Sequence, residues 1–355
     1  MKHKLKLFVR ELYARTLFHT GLHALVDRMM PRRQTVLFGH CVDEPSCNGF
    51  LPSDMKIRRE RLQSVLGWFQ KRYDLLPLGA GFRAVCEEPK GARSVVSLTM
   101  DDGYRDNATE LPGVLAPHGC TATVFLEARP LDERQVNWSH KFFWMLSQGQ
   151  QPAELARALM LGTEDAAFAE AMRRLLEEGD CSAYQLKRIL KYEVPRAQRD
   201  PAIQALYDKA GGDERALCDE LYMSWEEARQ LEAQGFEVGG HTVHHDVLST
   251  LDRAGAESEL QGCAASLGRE LQSPATLFAY PFGRRWDYND ETRELLEPAG
   301  FTLAVNTHAG TNGPGADRTQ LKRIPIDDTS PMHLLVAEAC GGFDLLRRFG
   351  LDLSE

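Results

Sequence analysis

The sequence predicts an α/β fold, a (β/α) barrel of about seven strands, incomplete, that carries a helical insertion. Three observations lead there. Apolar runs of four to six residues alternate with stretches of helical period over residues 35–130 and again over 220–328, the order of parallel strands with helices outside. The polar residues that stand out (His40, Asp101, Asp102, His241, Tyr280 and His308) fall at or just past the ends of those runs, where such barrels collect their chemistry. Between the two halves, residues 139–220 lose the rhythm; they are rich in Ala, Leu, Glu and Arg and offer no strand.

Taken in order, residues 4–28 place Leu5, Phe8, Val9, Leu12, Tyr13 and Leu17 at helical spacing among basic residues, with Gly21 and Met30-Pro31 limiting the helix. Strands are predicted at 35–40, 95–100, 121–126, 236–239, 276–280, 301–306 and 321–326. Helices are predicted at 57–73, 107–117, 254–270 and 289–298. Ser224 is the expected N-cap of a helix over 223–234 that stops at Gly235. Helical stretches at 164–178 and 182–192 mark the insertion, a side wall or lid. The organisation is therefore a basic amphipathic segment at 1–33, a barrel in two parts at 34–138 and 221–330, the insertion at 139–220, and a helix with a tail at 331–355.

The chain has 355 residues, 43% hydrophobic and 26% charged, which suits a soluble globular protein. Its net charge of −9 argues against nucleic acid as a partner. The charge is uneven: residues 1–33 carry eight Lys/Arg against Glu11 and Asp27, net +6, which leaves −15 on the rest. A basic amphipathic helix of that kind suits peripheral attachment to anionic lipid as well as packing on its own domain. No apolar run reaches the roughly 18–20 residues that span a bilayer, and Arg10, Glu11 and Arg15 interrupt any secretory h-region. The eight cysteines are scattered without a CxxC pair, so reduced thiols and a cytoplasmic location, at the inner face of the membrane if attached, are expected.

Three segments carry chemistry. Val95-Val-Ser-Leu-Thr-Met100 delivers Asp101-Asp102-Gly103, so that one carboxylate can bind a metal while its neighbour faces the water beside it; Gly103 permits the tight turn. The segment after Gly239-Gly240 reads His241-Thr-Val-His244-His245. Imidazoles are common ligands of zinc and related ions, and His241 pairs with either His244 or His245 according to how the chain turns. Leu277-Phe-Ala-Tyr-Pro-Phe-Gly283 ends a strand in a rigid turn whose backbone N–H groups can serve an oxyanion.

In this order and spacing, Asp101-Asp102-Gly103, His241-xxx-His245 and Phe278-Ala-Tyr-Pro-Phe-Gly283 resemble the first three motifs of the polysaccharide deacetylase family, the NodB-homology domain of carbohydrate esterase family four. The resemblance covers residues 35–130 and 220–328. It implies a deformed (β/α) barrel that removes N- or O-acetyl groups from glycans with a divalent metal, most often Zn²⁺, with Co²⁺ or Ni²⁺ as substitutes. It assigns Asp102, His241 and His245 to the metal, Asp101 to the general base and the N–H of Phe282 to the oxyanion, and leaves His244 a neighbour.

The sequence departs from the pattern at three points. Ala279 stands where many members have the arginine that orients the base, no fourth motif with Asp and Trp is evident, and the final strand, Leu321-Lys-Arg323-Ile-Pro-Ile326, lacks the histidine of the fifth. Arg323 is the candidate replacement for the missing arginine and His308 for the general acid; His40 begins near the same rim. The implied substrate is an acetylated sugar or glycan, and the N-terminal charge favours a lipid- or nucleotide-linked intermediate of surface polysaccharide or lipopolysaccharide assembly. The alternatives are a deformylase or other amidase on the same scaffold, or a barrel that binds glycan without catalysis.

Overall fold

The computed structural model describes residues 2–87 and 92–353, without the side chains of residues 2, 3, 45 and 47. Cys47 therefore lies outside the described side chains, while the other seven cysteines are free thiols.

Among the described residues one sheet is built from β1 (Gln34–Gly39), β2 (Asp74–Leu75), β3 (Val95–Met100), β4 (Thr123–Leu126), β5 (Glu237–Gly240), β6 (Leu277–Ala279), β7 (Leu303–Val305) and β8 (Ile324–Pro325). Its order is β8-β1-β3-β4-β5-β6-β7, and β2 pairs only with the start of β3. Every strand pair in it is parallel. Leu321 bridges Val305 while Ile324 pairs with Leu37, so the last segment ties the final strand back to the first. The sheet curls into a deformed (β/α) barrel. All seven expected strands are present. The additions are β2 and a small pair, Cys41–Val42 with Lys56–Ile57; two-residue strands are too short to show a period.

Alternation along the strands sorts the side chains. Leu37, Leu98, Met100, Val124, Leu126, Phe278 and Ala304 pack outward under the helices, while Val36, Phe125, Leu277, Ala279, Leu303, Val305 and Leu321 form a separate cluster within the barrel. Ser97 and Thr99 share the phase of Asp101 and are likewise buried. β3 thus sends Asp101 to the inner side by the same two-residue period that sends Met100 outward.

Six helices follow between the halves of the barrel: Trp138–Ser147, Pro152–Gly162, Ala166–Glu177, Ala183–Tyr192, Arg196–Lys209 and Glu214–Leu221. They enclose a core of their own that includes Phe142, Met145, Phe168, Leu186 and Tyr207. The chain leaving them is clamped to the aspartate turn, because Met223 N donates to Gly103 O (3.1 Å) and Tyr104 bridges Tyr222. The expected N-cap is also present: Ser224 and Glu227 form a reciprocal capping box.

The N-terminal segment is two helices, Lys2–His19 and Leu22–Met29, parted at Gly21 (φ 77°). Ala14 and Leu17 bury against Ala337, Cys340 and Phe343. The C-terminal stretch, expected as one helix and a tail, is also two helices, Met332–Ala339 and Gly342–Arg348. Gly341 (φ 75°) takes the left-handed conformation between them. No helix among the described residues is long and apolar enough to cross a membrane.

Candidate active site

The inner ends of β1, β3, β5, β6 and β8 open onto one cavity of about 930 Å³. Asp101, Asp102, His241, His245 and Phe282 line it together with His40, His140, Lys187 and Lys191. Four of the five non-glycine residues with positive φ among the described residues sit here: Asp102 (71°), Thr242 (66°), His245 (56°) and Phe282 (62°). Backbone strain of this sort persists only where the surroundings over-determine it, and it concentrates at functional sites.

The two aspartates diverge as their neighbouring positions require. Arg323 reaches across from the last strand and grips both oxygens of Asp101 (Nη1–Oδ1 2.7 Å, Nη2–Oδ2 2.8 Å), and its own Nε donates to Asn306 O (2.8 Å). The pair is fully buried. Burial alone would push the Asp101 carboxyl up, but the guanidinium reverses this and holds it below the ordinary range.

Asp102 turns the other way. Its Oδ1 lies 3.3 Å from His241 Nε2 and 3.2 Å from His245 Nε2, and the three ligand atoms fall within 4.8 Å of one another. That buried oxygen accepts no hydrogen bond of proper geometry. Ala279 O takes the hydrogen bond of His241 Nδ1 (2.7 Å), which fixes the ring so that Nε2 faces the cluster with its lone pair. One carboxylate oxygen and two imidazole nitrogens converging on a buried point suit a divalent ion such as zinc, with further positions left for water and substrate.

His244 is directed away, its Nδ1 held by Glu259 Oε1 at 2.6 Å. The turn at residues 242–245 thus brings His245 to Asp102, a choice that spacing alone leaves open. Gly239 and Gly240 end β5, and a Cβ at Gly239 would meet Leu277 O at 2.6 Å. In the turn after β6, Phe282 stacks edge-on against His245 (4.6 Å), and its N–H has no acceptor among the described residues. His308 does not enter this cavity. It lines a separate pocket of about 430 Å³ with Asn306, Thr311 and Lys322, while the adjacent Thr307 lines the main cavity. His40 lines the main cavity instead.

A buried polar chain stands behind Asp102. Tyr104 OH donates to Oδ2 (3.0 Å), His140 Nε2 meets that hydroxyl at 2.5 Å, His140 Nδ1 meets Tyr222 OH, and Asn137 N donates to Tyr222 OH (3.2 Å). Burial lowers His140 to about 3, so the ring is neutral and can accept from one tyrosine and donate to the other. Sequence reasoning missed His140, Lys187 and Lys191, all on insertion helices. None ends a strand, and lysines four apart on a helix read as a solvated face.

Residues 201–304, which hold both histidines and the 278–283 turn but not the aspartate pair, match the family model described as polysaccharide deacetylase. YxkH of Bacillus subtilis (strain 168), named for the same family, is 24% identical over 112 residues, 32% of this chain and 39% of its own length. The chain thus spans well under half of that relative. Among solved structures, the Streptococcus pyogenes deacetylase PplD in complex with acetate superposes with a TM-score of 0.56 at 16% identity, over 87% of this chain and 99% of PplD. A de-N-acetylase from Aggregatibacter actinomycetemcomitans gives 0.54 at 14%, over 85% and 98%. At such identities the superpositions speak for the fold. The chain therefore shares the fold of these deacetylases, and residues 201–304 are similar in sequence to the polysaccharide deacetylase family.

Proposed function

We propose that this chain is a divalent-metal hydrolase, zinc being the ion best suited to its ligands, that removes the acetyl group from an amino sugar of a glycan. The observation that carries the reading is the split aspartate pair, with Asp101 clamped and ionised by Arg323 while Asp102 converges with His241 and His245 in the same cavity. The match of residues 201–304 to the polysaccharide deacetylase model and the names of the superposed deacetylases support it. Exposed Tyr184 and Trp286 at the cavity mouth offer aromatic faces to a sugar ring.

Held by Asp102, His241 and His245, a divalent ion supplies Lewis acidity for the amide carbonyl and lowers the pKa of water. Asp101 accepts the proton of the attacking water; its two bonds to Arg323 leave further lone pairs for that purpose. The Phe282 N–H, unoccupied and aimed by its left-handed backbone, donates to the developing oxyanion. His40 delivers the proton to the departing amine. It is the one imidazole of the cavity, among the described residues, that is neither in the ligand cluster nor locked between tyrosines, and it replaces His308 in this role.

The natural substrate in this reading is a lipid- or nucleotide-linked sugar intermediate of surface polysaccharide or lipopolysaccharide assembly, met at the cytoplasmic face of a membrane. Exposed apolar stripes at Leu5, Phe8 and Leu12 and at Leu22, Leu25 and Met29, flanked by exposed Lys4, Arg15 and Arg28, support membrane attachment.

The deciding experiment is acetate release from a panel of N-acetylated sugars by metal-stripped protein reloaded with Zn²⁺, Co²⁺ or Ni²⁺. Metal-dependent release is expected. Stoichiometric metal binding with formate released instead, or with no release at all, would replace the reading by a deformylase or by a binding barrel.

A further inference from the structure

Helix Ala183–Tyr192 turns one face toward the cavity that holds Asp102, His241 and His245. Tyr184, Lys187, Arg188 and Lys191 all line the cavity, the spacing of neighbours on one helical stripe, and Arg284 joins them from the turn after Phe282. Lys191 is committed to the buried Asp287 at 3.2 Å. The side-chain cations of Lys187, Arg188 and Arg284 have no carboxylate partner among the described residues, although the Arg284 backbone N–H donates to Asp287 Oδ2 (2.9 Å). Lys187 lies over the Phe143 ring (4.3 Å), and burial lowers its ammonium to about 8.

The carboxylates of the cavity offset this wall only in part. Arg323 neutralises Asp101, and Asp102 belongs to the ligand cluster. Asp327, which accepts only from neutral donors (Thr329 N and Ser330 Oγ), and exposed Asp54 keep their charges, two carboxylates against the three cations. Cations lining a concave, partly dry surface focus a positive potential on whatever enters. A neutral glycan could use these groups only as hydrogen-bond donors, whereas an anionic one also gains from their charge.

Building on the deacetylase reading, we propose that Lys187, Arg188 and Arg284 form a subsite for an anionic group carried by the substrate, a glycosyl phosphate or a sugar carboxylate. The helix that walls the cavity thereby selects acidic acetylated sugars over neutral ones.

The test uses the full-length, zinc-loaded protein with Asp101→Asn to stop turnover. Calorimetric affinities are measured for N-acetylglucosamine, N-acetylglucosamine 1-phosphate and N-acetylmuramic acid at low and high salt. At least one anionic probe should bind about tenfold tighter than the neutral sugar, the equivalent of one partly desolvated charge contact. That advantage should fall with salt and vanish in Lys187→Gln/Arg188→Gln. Preference for the phosphate alone, or for the carboxylate alone, identifies the source. Arg188→Gln by itself, at an exposed position, should lose part of the advantage without lowering Tm, which separates the subsite from a folding defect. Equal affinity for all three probes, no binding of any, or an advantage that survives the double variant would overturn the proposal. Acetate release by the unmodified enzyme on the same probes keeps the two readings apart. Preference without release sinks the deacetylase, and equal release from neutral and anionic probes sinks the subsite.

Discussion

In the proposed mechanism, Asp101 and Arg323 show how one residue's role can move to another strand. The position that many family members give to the base-orienting arginine is Ala279 here, and its small side chain packs in the inner cluster while its carbonyl holds His241. The guanidinium comes instead from the last strand and meets both oxygens of Asp101. Asp101→Asn should therefore lower kcat by about 10³-fold, the scale of a lost general base, while zinc stoichiometry stays intact. It should also destabilise the fold by about 3 kcal/mol, since Arg323 would be left buried without its charge partner. Kinetics with metal analysis and urea unfolding read the two effects; loss of zinc in the variant would mean that Asp101 is itself a ligand. Tyr104→Phe probes the other aspartate. Removing the hydroxyl that holds Asp102 Oδ2 should weaken zinc binding by about 10–100-fold in a chelator competition, as lost outer-shell partners do. Unchanged affinity would show that the chain through His140 does not position the ligand.

At the scale of elements, the loop after β5 is held in a strained shape by a helix that lies outside the cavity. Glu259, on helix Arg253–Glu270, accepts from Val243 N (3.0 Å), His244 N (2.8 Å), His244 Nδ1 and Arg196. Burial would raise its carboxyl, but His244 and the hydrogen bonds prevail and bring it from an ordinary 4.5 to about 2. A depressed acid stabilises the fold fully above its unfolded pKa and loses that contribution as pH falls through the folded one. Glu259→Gln should accordingly cost about 3 kcal/mol at pH 7 in metal-free protein, with the gap closing between pH 4.5 and 2. Urea midpoints against pH would show it, and a pH-independent gap would reduce Glu259 to packing. The same loop marks the boundary of what the sequence reveals. Strands that bury both faces leave apolar runs, and polar residues at their ends stand out, so Asp101, Asp102 and His241 were legible. The choice of His245 over His244 depends on a left-handed turn fixed by Glu259 from fourteen residues beyond His245, and no local pattern encodes it. His308 follows a strand too, but along that strand's exit it is Thr307 that lines the main cavity and His308 that lines the second pocket. His140 and Lys187 were invisible because helical residues reach the cavity through the tertiary packing of the insertion.

Across the whole molecule, charge and apolar exposure are segregated. Residues 1–33 hold a net +6 against −15 for the remainder, and their two helices leave Leu5 (62%), Phe8 (64%), Leu25 (54%) and Met29 (70%) exposed. The inner faces of these helices are already satisfied by Ala14 and Leu17 of the first and Val26 of the second against the C-terminal helices, so packing on the domain does not account for the outer stripes. An interfacial helix needs both terms, apolar insertion and attraction to anionic headgroups, and both are present on the same outer surface. Replacing Leu5, Phe8 and Leu12 together by Ser tests the first term without disturbing the fold, because all three side chains are more than half exposed. Each partly buried apolar group lost from an interface is worth on the order of 1 kcal/mol, so partitioning onto vesicles rich in phosphatidylglycerol should fall by about 100-fold while Tm holds. Raising salt should weaken the unmodified protein's binding in the same assay. Partitioning that ignores the triple substitution but responds to salt would reduce the surface to a basic patch. Insensitivity to both would remove the membrane from the account and leave a sugar intermediate free in solution as the substrate to pursue.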